Sequence, residues 1–202
     1  MFASDDGYIQ SLSTSYTTAV AGGGTVSVEA ANDLRVGQQF ATPTFTVREN
    51  FLAFDTSSVG ADDVQSATLS LDGNADSSDT DFTAEVRIYS YGTLTTADWV
   101  VDLSSHTRVA TWSSASYSAS YNAFTSDATF AENINGSGLT ELLIHSDRHR
   151  TETEPTGFEV VRFEDSEAAG TTVDPMLVVN HLTPITDAAE KLQTVTSSPM
   201  RY

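Results

Sequence analysis

The sequence predicts an all-β chain: a jelly-roll-like antiparallel β-sandwich with a short helical or extended arm at its C-terminal end. Three stretches carry this expectation. Phe51-Leu-Ala-Phe-Asp55-Thr-Ser-Ser-Val59 reads as a strand running into a turn, and Ser66-Ala-Thr-Leu-Ser-Leu71 places Ala67, Leu69 and Leu71 on one face. Met176-Leu-Val-Val-Asn180 is an apolar run of strand length. Side chains alternate across a strand, so a period of two buries one face and wets the other.

The elements follow in order. Gly7 to Ser13 and Thr25 to Glu29 read as two edge-type strands around the flexible Ala21-Gly-Gly-Gly24. From Thr44 to Asp55, Phe45, Val47, Phe51 and Phe54 supply core, and a phase slip at Glu49-Asn50 suggests a bulge. Ser66 to Leu71 and Ala84 to Tyr91 are expected to form a hairpin across the acidic Asp72 to Asp81. The Ser/Thr-rich stretch from Thr93 to Ser137 reads as loop, with strand character around Arg108 to Trp112. Leu139 to His145, Phe158 to Phe163 and Met176 to Leu182 close the sandwich as central strands buried on both sides, giving about ten strands in all. Beyond Pro184, Ile185, Ala188, Leu192 and Val195 fall at helical spacing behind Thr186 or Asp187 as a cap. The expected organisation is an arm over 1–6, a sandwich over 7–182 and an arm over 183–202.

A chain of 202 residues fits one all-β domain. Its 28 acidic residues against 9 basic ones give a formal charge of -19, a surface that repels nucleic acid and anionic lipid. Almost no lysine accompanies these carboxylates, which suits a salt-rich source, although a merely acidic surface reads the same way. There is no cysteine, hence no disulfide and no thiol nucleophile. No apolar run approaches the ~20 residues of a membrane span, and the opening Met1-Phe-Ala-Ser-Asp-Asp-Gly has no leader pattern.

Candidate chemistry is sparse. Asp72, Asn74 and Asp76 place oxygen side chains at every second position, a pattern able to converge on calcium, yet Ser77 and Thr83 stand where a calcium loop carries glycine and glutamate. A solvated hairpin loop is the competing reading, and no other cofactor is implied. His145 and His149 have zinc spacing only if both lie on one helix face, whereas they flank a strand end. Acidic residues are too numerous for any pair to stand out as a hydrolytic dyad, and no G-x-S-x-G, phosphate loop or dinucleotide fingerprint occurs. Tyr89, Tyr91, Tyr117 and Tyr121 can stack on sugar rings if they share an exposed face, or meet a partner subunit, with Tyr89 and Tyr91 placed beside Glu85 and Arg87 on an outer sheet face.

Several blocks fall in one order: Asp33-Leu-Arg-Val-Gly37, Arg48 to Val59, Val64 to Leu71, Ala110 to Tyr117, Leu142 to Asp147, Arg162 to Glu167 and Pro175 to Val179. In that order they resemble the DNRLRE-type domain, a jelly-roll sandwich similar to carbohydrate-binding modules and present in wall-associated proteins, polysaccharide lyases and tailed-virus structural proteins. The resemblance covers residues 7–182. The naming motif survives only as Arg48-Glu49 and Asp33-Leu-Arg35, and Trp112 matches a family tryptophan expected in the core. A non-enzymatic virion protein is the resulting expectation: a capsid decoration protein of a tailed virus, located on the particle surface, with a tail or fibre component and an extracellular carbohydrate-binding module as alternatives. Its expected partners are further copies of itself, as a trimer, and the major capsid protein, gripped through the terminal arms. A glycan partner belongs to the alternative.

Overall fold

The computed structural model describes residues 1, 3–29, 33–166 and 172–183. Strands β1 (Ala3–Ser13), β2 (Thr25–Glu29), β3 (Leu34–Ala41), β4 (Thr44–Asp55), β5 (Asp63–Asp76) and β6 (Thr83–Ile88) come first, with the short helix α1 (Tyr16–Val20) between β1 and β2. The second half supplies β7 (Arg108–Ser113), β8 (Tyr121–Ala123), β9 (Thr125–Ser126), α2 (Thr129–Glu132), β10 (Leu139–Ser146), α3 (Asp147–Arg150), β11 (Phe158–Phe163) and β12 (Met176–Leu182). Neighbours run β12-β5-β11-β3-β4-β10-β6-β7-β9, with β1 on β4, β2 on β1 and β8 on β5. Every pairing is antiparallel. The expected all-β, jelly-roll-like sandwich is what the chain forms, with twelve strands among the described residues.

Two layers face each other across the main core. The smaller holds β12, β5 and β8, and the larger holds the rest. Leu69, Leu71 and Leu177 from the smaller layer pack against Leu52, Phe54 and Phe163 from the larger, all of them fully buried. Trp112 fills the space beside them, edge-on to Phe163 at 5.3 Å. One strand joins the layers: β5 pairs with β12 up to Ser70, with β8 from Ser70 to Asp72, and with β11 from Gly73 to Asp76. Gly73 marks the crossing, where a β-carbon would overlap the Ser118 carbonyl oxygen.

The outer face of the larger sheet is covered too. Ile9, Phe51 and Leu143 lie beneath Val100 and Leu103, while Tyr16, Ala19 and Val20 of α1 cap Phe45 and Val47. β4 is therefore buried on both faces from Phe45 to Phe54, its polar run Arg48-Glu49-Asn50 included.

Several expectations are corrected. β5 and β6 do not form a hairpin; they pair with different strands, and the acidic Asp72 to Asp76 continues β5 instead of looping. β4 has no bulge at Glu49-Asn50, because its pairing with β1 runs without a shift from Ala53 to Phe45. β12 is an edge strand in which Leu177 alone is buried, not a central one. Residues 3–6 belong to β1, not to an arm, and Met1 exchanges two backbone hydrogen bonds with Leu177. Ile185, Ala188, Leu192 and Val195 lie outside the described residues.

Candidate functional site

A strand has two hydrogen-bonding edges. β1 occupies one edge of β4 from Phe45 to Phe54, so β3 and β10 divide the other: β3 as far as Val47, β10 from Asn50 onward. Arg48-Glu49-Asn50 spans this hand-over, where backbone groups lose one partner before gaining the next. The Asn50 amide donates to the Arg35 carbonyl at 2.9 Å and so satisfies part of what the diverging β3 leaves open.

Arg48 and Glu49 point to opposite faces. On one side, Arg48 is 4% exposed, and its Nη2 donates to Gln39 Oε1 at 3.1 Å. Its Nε and Nη1 are buried and have no hydrogen-bond partner. Burial lowers the guanidinium to about 10, so it still carries its charge at neutral pH. Beside it lies a cavity of about 150 Å³, lined by Arg35 and Gln39 of β3, Arg48, Ser77, and Phe158, Val160 and Arg162 of β11. Arg35 and Arg162 are direct partners across the β3–β11 pairing, and two residues along, Gly37 faces Val160. Gly37 has a φ of 118° and no room for a β-carbon, which would overlap the Glu159 carbonyl oxygen. The Asp33 carboxylate touches both outer arginines, Arg35 Nε at 3.0 Å and Arg162 Nη1 at 3.5 Å.

On the opposite face is a second polar cluster. Glu49 is fully buried, accepts from the Val100 N–H at 2.9 Å, and is pushed well above the usual carboxylate range by burial. Its other oxygen lies 3.8 Å from His149 Nδ1. His149 sits on α3, whose start is capped by the Ser146 hydroxyl, and its ring lies 5.4 Å from that of Trp99. Neither ring nitrogen is in hydrogen-bonding geometry, and burial lowers the imidazole to about 4 against the weaker opposing pull of the Val20 carbonyl. His145 is also buried and lowered to about 3, chiefly by desolvation. Arg87 Nε at 2.8 Å and the Ser146 carbonyl at 2.9 Å contact its two ring nitrogens, so Nε2 accepts and Nδ1 donates in the neutral ring.

Next to these histidines, Glu85 gathers Arg87 and Arg150. Arg150 binds it through two bonds of 2.8 and 2.9 Å, and Arg87 through one of 2.7 Å. Desolvation raises this carboxyl, but the Arg150 and Arg87 hydrogen bonds outweigh it and hold the group at about 2. This is a structural ion cluster in which Glu85 and Arg87 are buried and Arg150 is half-buried.

Asp72, Asn74 and Asp76 alternate along β5. Asn74 donates to Glu164 at 2.7 Å, and Asp76 accepts from the Ser78 N–H and hydroxyl at 2.8 and 2.5 Å. Among the described residues no three acidic or histidine side chains group around a point suited to a metal ion. The four tyrosines do not share a face. Tyr89 and Tyr91 are half-buried edge-on to Phe51, at 5.9 and 5.3 Å, on the outer side of the large sheet. Glu85 and Arg87 lie on this outer side with them, as expected, and are buried there. Tyr117 packs against the main core, and the Tyr121 hydroxyl donates to the Asp174 carbonyl at 2.8 Å. Trp112 is in the core, as the resemblance implied. The sequence reading missed the arginine cavity. One signal for it was present, the polar run Arg48-Glu49-Asn50 set between the core positions Val47 and Phe51.

No family model matches the chain, and no curated protein matches it.

Proposed function

We propose that this chain is a non-enzymatic structural subunit of a virus particle, a capsid decoration protein of a tailed virus that attaches through the C-terminal end of its sandwich. A tail or fibre position is the neighbouring alternative. The observation that carries the reading is the edge strand β12. It pairs with β5 on one side, and beyond Leu177 no described strand covers its other side. It exposes Val178 at 41% and Leu182 at 60%, and residues 184–202, whose sequence places Ile185, Ala188, Leu192 and Val195 at helical spacing, follow it in the chain. An open edge with apolar side chains is a template for strand addition by a neighbouring copy. The remaining acidic surface keeps other contacts repulsive.

Symmetric self-association follows, with a trimer as the assembly. A carbohydrate-binding role has less support, because the tyrosines that would stack on sugar rings lie on separate faces. Cutting the chain after Thr183 tests the proposal. The truncated protein is expected to keep its β-type circular dichroism, to become monomeric by light scattering, and to stop co-sedimenting with particles. Unchanged oligomeric state and unchanged co-sedimentation would reject it.

A further inference from the structure

Three of the nine basic residues of a strongly acidic chain line one cavity, although they come from three separate strands. Like charges repel, so this gathering costs stability unless something compensates it. Asp33 compensates the outer pair: it bridges Arg35 and Arg162. The third feels Asp33 and Glu29 only at a distance, with no ion pair of its own. Arg48 is 4% exposed, contacts only a neutral amide oxygen through Nη2, and leaves Nε and Nη1 with no acceptor. By contrast, the other buried arginine among the described residues, Arg87, is paired with Glu85 at 2.7 Å. A buried guanidinium with two free donors next to a cavity has the chemistry of a fork waiting for an anion.

We propose that this cavity is a binding site for an oxyanion, a carboxylate or phosphate group, with Arg48 as its buried anchor and Arg35 and Arg162 as the arms at its mouth. The local charge balance, three guanidinium groups against Asp33 and the nearby Glu29, leaves one positive charge for the ligand group to neutralise. About 150 Å³ is space for several waters, or for one oxyanion with part of the skeleton that carries it. Gln39 and Ser77 offer further polar contacts, and Phe158, 42% exposed, with Val160 forms an apolar wall for that skeleton. The site is independent of the β12 edge and of the assembly reading.

Calorimetric titration of the full chain with inorganic phosphate, with glucuronate and with neutral glucose, in a low-chloride buffer, tests the proposal. Phosphate or glucuronate is expected to bind at millimolar concentration or below while glucose does not. Which anion binds more tightly tells a free ion from a sugar acid. Arg48→Met should weaken binding ~30-fold or more, because the ligand loses a desolvated charged partner. Arg162→Gln, at the solvent-facing mouth, should weaken it by a few fold. Melting curves separate binding from folding: the anion should raise the melting temperature of the native protein and not that of Arg48→Met. Without ligand, Arg48→Met should melt at or above the native temperature, since it removes an uncompensated buried charge. If neither anion binds, or if both variants bind as tightly as the native protein, the proposal is overturned.

Discussion

His149→Phe offers a direct measurement of what a buried imidazole costs in acid. The ring lies against Trp99, and a phenyl group can keep that contact while removing the titration. Burial lowers the imidazole from 6.5 to about 4 on folding, so between these values the unfolded chain binds a proton that the folded chain refuses. The stability tied to this group is complete above pH 6.5 and is lost as the pH falls toward 4. Integrating proton uptake between pH 7 and pH 5 gives about 1.8 kcal/mol lost through this one side chain. Urea unfolding of both proteins at the two pH values supplies the difference. Titrations remote from the ring cancel in the subtraction; Glu49, 3.8 Å away, and His145, which His149 helps to lower, do not, so the comparison is repeated in a Glu49→Gln background, where the same difference is expected. The native protein should lose about 1.8 kcal/mol more than the variant. His149→Leu should give the same difference if phenylalanine packs too tightly. Parallel pH profiles within ~0.5 kcal/mol would falsify the assignment of a neutral, solvent-excluded His149.

Two further outcomes are expected. Glu85→Gln leaves Arg87 and Arg150 without their carboxylate and should cost about 3–5 kcal/mol, seen as a melting temperature lower by ~10 °C; a drop under ~3 °C would show that solvent screens the cluster. Gly37→Ala places a β-carbon against the Glu159 carbonyl at a positive φ and should cost more than ~2 kcal/mol by urea unfolding, with β3 and β11 forced apart.

Much of the sandwich was legible in the sequence because its strands alternate. Ala67, Leu69 and Leu71 point into the main core as their spacing implies. Where reading failed, composition misled. Asp72 to Asp76 looks like a loop because it is acidic, yet it is strand, since Asn74 and Asp76 face solvent and Gly73 is needed for a close crossing. Val178 and Val179 look like a central strand, but apolar residues at an edge have the same sequence as apolar residues in a core. The arginine cavity was hidden for a different reason. Arg35, Arg48 and Arg162 are distant in the chain, and only the β3–β11 register and the forked edge of β4 bring them together. Glu49 and His149 meet in the same way, through a capped turn after β10 that spacing alone could not place.

The strand shared by both layers has a mechanical consequence. In a sandwich whose sheets touch only through oil, a tug on one sheet is resisted by side-chain packing, which slides at low force. Here a pull on β12 passes into β5 through a ladder of hydrogen bonds and then along covalent backbone into the opposite sheet. Shearing the layers apart requires breaking those ladders together, so a tether fixed at this end of the protein would hold its load until the whole domain gives way.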